Sequence, residues 1–286
     1  MAATDETDVT PEDDPLGTAP AADRVWFSEG QLLDARDFRE EQTYHRGRLA
    51  RALLLLHGSG TIAGLAAGYV PAAAAAPPAP ARDEELRVEP GAAVDRFGRL
   101  VEVTRAACIR LQKWFDTQGA AELASAVQGA AGDTAVVADL FIRYVARSHG
   151  KTPAFATGPF EALNAVAAAR VRDCCELRLF LRPEADPPLP QNSWPVAPPN
   201  RQALVTAALA APPPGPDADG RLPPLREHLP GQDTSFVFLA RVRIPASPPA
   251  AVGGRPARRN APVTVTNDAR PFLLPGERWV GALKPA

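Results

Sequence analysis

The stretch from Asp34 to Gly58 carries a full set of helix signals and limits the fold more firmly than any other part of the chain. Asp34 stands where an N-cap belongs, and Asp37, three residues on, is a carboxylate beside the positive end of a helix, with Glu40 and Glu41 following. Phe38, His45, Leu49, Ala52, Leu53 and Leu56 then recur at helical spacing, which leaves Arg36, Glu40, Arg46, Arg48 and Arg51 mostly on other faces. The spacing predicts about six turns at roughly 3.6 residues each, with the apolar stripe buried on this chain's own β body or on another subunit, and His45 a satisfied core residue. His57 is expected to cap the last carbonyls and Gly58 to end the helix, while Gly60 and Gly64 read as backbone punctuation. Ahead of the helix, Phe27-Ser28-Glu29-Gly30 reads as a turn that sets Trp26 and Phe27 against the first helical turn, with Tyr44 flanking.

Beyond the helix the pattern changes from period 3.6 to short strands. Ala66 to Arg82 is an Ala/Pro tract and reads as a linker. Strands are expected at Leu86–Val88, Leu100–Thr104 and Ala107–Leu111, with Pro90-Gly91 and Phe97-Gly98 as turns. Residues 119–131 read as a short helix, Thr134–Ala146 as a central strand, and Phe160–Val171 as another helix. Cys175–Leu181 alternates as a half-buried strand does, and further strands are expected at Ser235–Ile244 and Val263–Thr266, with an edge piece at Arg270–Leu274. Residues 183–232 are dense in proline, with one helical stretch at Asn200–Ala211, and read as an insertion that contacts a partner. The expected fold is α+β: a long N-terminal amphipathic helix followed by a mostly antiparallel β body, sandwich or barrel, with Pro-rich insertions. The expected divisions are an acidic tail (1–24), a helical docking segment (25–66), an Ala/Pro linker (67–84), a β-rich body (85–274) and a C-terminal tail (275–286).

Composition narrows the function classes. The 286 residues can bury a real core. A formal charge of −2 and a pI near 6.1 lack the basic footprint of a nucleic-acid binder. Asp5, Glu6, Asp8, Glu12, Asp13 and Asp14 stand in a base-free start, where a signal peptide would carry bases and an apolar run, and nothing reads as a transmembrane segment. Assembly in the cytoplasm is the expectation. Cys108, Cys174 and Cys175 are too few for a disulfide framework, and adjacent Cys174 and Cys175 point to opposite strand faces, so all three read as packing residues.

The catalytic readings each fail a physical requirement. Gly58, Gly60 and Gly64 leave a helix where a dinucleotide loop should open one, and Val145 stands where a phosphate loop before Gly150-Lys151-Thr152 needs glycine. Ser59 has no strand to present it as a nucleophile, and His149 and His228 lack neighbours at zinc spacing. Asp95 and Asp139 read as a turn residue and a strand residue, with nothing to pair them. No catalytic, cofactor or metal residue is therefore assigned.

Phe27-x-Glu29-Gly30-Gln31-Leu32-Leu33, Asp37-Phe38, Gln42, Tyr44-His45 and Arg48, followed by Leu56-His57-Gly58-x-Gly60-x-x-x-Gly64-Leu65, resemble a family encoded beside contractile, phage-tail-like injection systems. Val88-Glu89-Pro90-Gly91 through Arg99 is similar to that family's V-x-P-G-x-A-x-D-x-x-G-R block, and Asp139–Tyr144, Arg170–Leu181 and Phe238–Val242 to its later strands, although Ala169 replaces the usual hydroxyl residue. The resemblance spans roughly residues 25 to 275 and is densest before 105. It implies a structural part of the baseplate or of the fibre and outer-shell region, present in repeated copies among other baseplate, spike or fibre subunits, in a particle that is released or membrane-associated. The docking set is then Trp26, Phe27, Gln31, Phe38, Tyr44, Leu49 and Leu53, with Gly30, Gly58, Gly60, Gly64, Gly91 and Gly98 as backbone positions. A surface-binding module that reads a cell-surface glycan through Trp194 is the alternative, and a hydrolase cargo the third reading.

Overall fold

The computed structural model describes residues 23–76, 80–130, 132–153, 166–191, 206, 209, 221–251 and 253–273. Helix α1 (Ala35–His57) leads into β1 (Gly60–Gly64), β2 (Ala67–Val70), β3 (Glu85–Val88), β4 (Gly91–Val94), β5 (Leu100–Val103) and β6 (Ala107–Arg110). Two short helices, α2 (Leu111–Thr117) and α3 (Ala120–Ser125), precede β7 (Val127–Gln128) and the long strands β8 (Ala135–Pro153) and β9 (Val166–Leu181). The described chain closes with β10 (Val237–Ser247), β11 (Ala257–Arg258) and β12 (Thr264–Thr266).

These strands form three antiparallel sheets, ordered β1-β4-β5, β2-β3-β6, and a larger one in which β8 lies between β10 and β9. None closes into a barrel among the described residues. β7 continues the β9 edge, and β11 and β12 flank β10.

From Ala135 to Ala146 strand β8 is covered on both faces, which explains its nearly unbroken apolar run from Val136 to Val145. Leu140, Ile142 and Tyr144 face the main core with Leu86, Val101, Phe115, Leu179 and Val242. On the opposite face Phe141 meets Phe238 edge-on at 5.4 Å and His228 at 5.3 Å, so the segment before β10 lies over this side. Arg143 and Arg178 sit over the Phe236 ring at 5.0 and 5.8 Å.

A buried charge cluster ties this second face together. Asp139 and Arg182 are both fully buried. Arg241, the cross-strand partner of Asp139, grips its carboxylate with Nε at 2.8 Å and Nη2 at 2.9 Å. Arg241 also donates to the Pro187 carbonyl at 2.8 Å. Arg182 approaches the same carboxylate at 3.4 Å and donates to the Glu227 carbonyl at 2.5 Å. Burial pushes the Asp139 carboxyl above its ordinary range against the pull of Arg241 and Arg182.

A second fastening joins the small sheets to the C-terminal segment. The Asn267 side chain accepts from the Ala67 amide and donates to its carbonyl, both at 2.9 Å. Buried Arg270 donates to the Leu65 carbonyl at 2.8 Å, and desolvation pulls its pKa down to about 10.

Several sequence expectations need correction. Residues 166–171, expected in a helix, belong to β9, where they pair with β8 to the end of its ladder. Alanine is compatible with either state, and the cross-strand partner decides. The supposed linker begins with β2 and carries an Ala73–Arg82 bridge, so much of it belongs to a sheet excursion. Gly60–Gly64 and Gly91–Val94, taken as punctuation and turn, are the paired strands β1 and β4. The strand expected to run through Leu111 stops at Arg110, where α2 begins. The edge piece reduces to one parallel bridge, Thr61 with Phe272. Cys108, expected to pack inside, is exposed. The expected helix at Asn200–Ala211 lies outside the described residues except for Thr206 and Leu209, both helical.

Two stability outcomes follow from these buried groups. Arg182→Met strips the Glu227 carbonyl of its donor and leaves Asp139 one cation short, so urea unfolding is expected to show a loss of about 3 kcal/mol. His228 Nε2 donates to the Phe236 carbonyl over 3.0 Å, and burial lowers its pKa from 6.5 to about 4. Its folded form is neutral, so its contribution is complete above pH 6.5 and declines as pH falls toward 4. The stability gap between the native chain and His228→Gln is therefore expected to narrow steadily between pH 7 and pH 5 in denaturant titrations.

Candidate functional site

The local chemistry of α1 is as the sequence predicts. Asp34 accepts from the Arg36 amide at 2.6 Å and the Asp37 amide at 3.3 Å, while Asp37 accepts from the Asp34 amide at 2.8 Å, completing a capping box. At the other end the Gly58 amide donates to the Leu54 carbonyl at 2.8 Å, with Gly58 at φ +78°. Ahead of the helix, Gly30 also takes positive φ in a turn closed by Gln31, whose amide donates to the Ser28 carbonyl and whose side chain accepts from the Ser28 amide.

The packing of α1 shows which of its faces meets the body, a point the sequence leaves open. The face turned to the body is Gly47, Ala50 and Leu54, the only buried residues of the helix. Phe38, Leu49 and Leu56 are 54%, 64% and 77% exposed. His45, expected in a core, is exposed and bonds to Glu41 at 2.7 Å on its own helix. At about 100° per residue, Phe38, Leu49 and Leu56 lie roughly opposite Gly47 and Leu54, so the apolar stripe points away from the body that the described residues form.

Close approach explains the choice of face. A Cβ at Gly98 would overlap the Ala50 carbonyl, and Gly98 holds φ +82°. Glycine on the β4–β5 turn and glycine and alanine on the helix let the two backbones touch. Gly64 and Gly91 do the same between β1 and β4, where a Cβ on either would strike the other strand's backbone, and a Cβ on Gly60 would lie 2.7 Å from the Pro271 oxygen.

Below this contact lies a polar joint. Fully buried Asp95 accepts from the amides of Phe97 and Arg99 at 2.9 Å each and from Arg99 Nε at 2.6 Å. Burial is the largest influence on its carboxyl and pushes it upward. The Arg99 guanidinium lies between the Phe97 and Tyr144 rings, 4.9 Å from each centroid. Tyr144 donates to Asp173 at 2.6 Å and accepts from Arg46 of α1 at 3.2 Å. The helix, the turn and both long strands thus meet at one arginine and one tyrosine.

The expected docking residues divide into two groups. Trp26, Phe27, Gln31, Phe38 and Leu49 are exposed, whereas Tyr44 and Leu53 are half-buried. Tyr44 carries Arg48 over its ring at 5.2 Å. Gly47, Ala50, Leu54, Gly98, Arg99 and Tyr144, which hold the helix, are not marked by the sequence as its contacts. The signal available is the pair of small residues three apart on α1, the mark of a close backbone approach.

The remaining chemistry-bearing groups do not assemble. Asp95 is paired with Arg99 and Asp139 with Arg241 and Arg182, His228 bonds a backbone carbonyl, and Arg172 Nη2 lies 2.6 Å from His149 Nε2. Among the described residues no three His, Cys, Asp or Glu side chains gather as metal ligands would. An open cleft of about 300 Å³ bounded by Gln118, Glu122, Ser125 and Phe180 holds no histidine or cysteine. No described helix is long and apolar enough to cross a membrane. Trp194, the residue of the glycan reading, lies outside the described residues. No family model matches the chain, and no curated protein matches it at a significant level.

Gly98→Ala tests the close contact directly. The added methyl meets the Ala50 backbone at a positive-φ residue, and the expected loss is about 1–3 kcal/mol. Amide exchange in Arg46–Leu54 is expected to accelerate more than exchange in β8 and β10, as the helix is pushed off its seat.

Proposed function

We propose that this chain is a non-catalytic structural subunit of a contractile, phage-tail-like injection particle, placed at the baseplate or in the fibre and outer-shell region around it. The observation that carries the reading is the uncovered face of α1. A capped helix is seated on the body by glycine and alanine, while its larger apolar side chains are presented outward together with Trp26, Phe27 and Leu32. Burying each such side chain is worth about 1.5–3 kcal/mol, enough across five or six of them to offset a substantial part of the cost of association.

The residues of the injection-system resemblance coincide with this surface. Phe27, Gln31, Leu32 and Phe38 belong to its lead-in motif and are exposed, while of its backbone glycines Gly58 ends the helix, Gly98 seats it, and Gly60, Gly64 and Gly91 allow the close approaches of the strands beneath. The motif thus divides into a part that builds the seat and a part left for a neighbour. The neighbours implied are other baseplate, spike or fibre subunits, met by repeated copies of this chain.

Deletion of residues 1–57, which leaves β1 and Leu65 in place, is expected to release the protein from purified particles. A narrower change, Leu49→Glu with Leu56→Glu, is expected to reduce its incorporation at least about tenfold while leaving the unfolding midpoint of the free chain within about 2 °C, because both side chains already face water. Full retention of either variant, quantified by mass spectrometry of purified particles, overturns the reading.

A further inference from the structure

The uncovered face of α1 has an internal register. Phe38, Gln42, His45, Leu49, Ala52 and Leu56 succeed one another at spacings of four and three, the a/d repeat that one helix shows to another. A sheet or loop surface would not require that alternation. Gly47, Ala50 and Leu54 occupy the far side, so a helix can lie along the seam without meeting this chain's body.

The charges beside the seam distinguish among partners. Continuing the repeat puts Asp34, Glu41 and Arg48 along one flank and Arg39, Arg46 and Leu53 along the other. In a parallel, in-register pair of such helices, each residue of the first flank faces the residue five positions later on the second flank of the other copy. Glu41 then meets Arg46, twice by the twofold axis, while Asp34 stays engaged in the capping box. In the antiparallel pair with the seam fully overlapped, Arg46 faces Arg46 and Arg48 faces Arg48. The first arrangement attracts and the second repels.

We propose that the α1 helices of two copies of this chain pair in parallel and in register along this seam, carrying the two bodies on the outer sides. The step rests on the docking reading above and supplies its partner, a second copy. Gln42 sits at an a position, where it faces its own counterpart only in a parallel pair, the use to which a buried polar residue is put in fixing register. A parallel pair also brings both lead-ins to one end, where Trp26 and Leu32, 74% and 96% exposed, can cover those of the other copy.

Sedimentation equilibrium of the full-length chain, from low to high micromolar concentration, tests the pairing. The native chain is expected to dimerise, and Leu49→Glu with Leu56→Glu to be monomeric throughout. Glu41→Arg and Arg46→Glu are each expected to weaken the dimer about tenfold, because each juxtaposes like charges. An equimolar mixture of those two variants is expected to recover native strength as a heterodimer, since positions 41 and 46 then carry opposite charges across both contacts between the copies. The contact of Arg46 with Tyr144 lies within one chain and does not depend on concentration. A native chain that stays monomeric, a stoichiometry other than two, a dimer indifferent to the Leu49 and Leu56 changes, or a mixture no stronger than its components overturns the proposal. If the native chain is monomeric while the leucine variant is still lost from particles, self-pairing fails and the docking reading survives.

Discussion

The buried carboxylate of Asp139 is the constraint around which the large sheet is organised. A charge at the centre of β8, fully removed from water, is tolerable only with a complete set of partners. Arg241 on β10 supplies two hydrogen bonds and Arg182, just past β9, supplies the nearby charge. Three strands are therefore fixed relative to one another by one side chain. The arginines also donate to the Pro187, Pro188 and Glu227 carbonyls, and Arg182 to the Glu184 carboxylate, which pins both described ends of the proline-rich insertion to the sheet. The aromatic cluster around Phe141 then closes the second face of β8, and this strand can be apolar in both directions.

The helix is attached by a different principle. Apart from Leu54, its seat buries little side-chain volume, because Gly47, Ala50 and Gly98 contribute almost none. What they contribute is distance, since a methyl group at Gly98 would drive the backbones apart. Orientation comes from the joint beneath, where Arg99 is fixed by Asp95 and Tyr144 carries Asp173 on one side and Arg46 on the other. A small-residue contact plus a directional polar joint can hold a helix at a set angle while most of its surface stays uncovered.

The sequence makes some of this plain and conceals the rest. Helix caps are legible because they depend on neighbours in the chain, so Asp34, Asp37 and Gly58 take the roles their positions predict. Most of the longer strands are legible from composition and alternation. The body-facing side of α1 is not, since hydrophobic spacing reports where the large side chains are and not which surface covers them. Gly47 and Ala50 carry no hydrophobic signal, yet they mark the seat. The same limit hides β1 and β4, whose glycines look like turns until their cross-strand neighbours show that no Cβ could fit. Residues 166–171 read as helical because alanine favours helices in isolation, and the long β8 partner overrides that preference. The cluster at Asp139 cannot be inferred at all, because its members are separated by about forty to one hundred residues and meet only through register.

An outward apolar stripe on a helix raises the question of why the helix forms before its partner arrives. A 23-residue helix alone in water is only marginally stable. Here the capping box, the Gly58 stop and the Gly98 seat hold it folded, so a docking partner meets an ordered surface. The entropy of ordering is then a cost of folding, borne by the body, and little of it remains to be met on association. The division of labour accounts for the placement of residue types on α1: small ones where backbone must meet backbone, large ones where a neighbour is to be met, and charges along the two flanks between them.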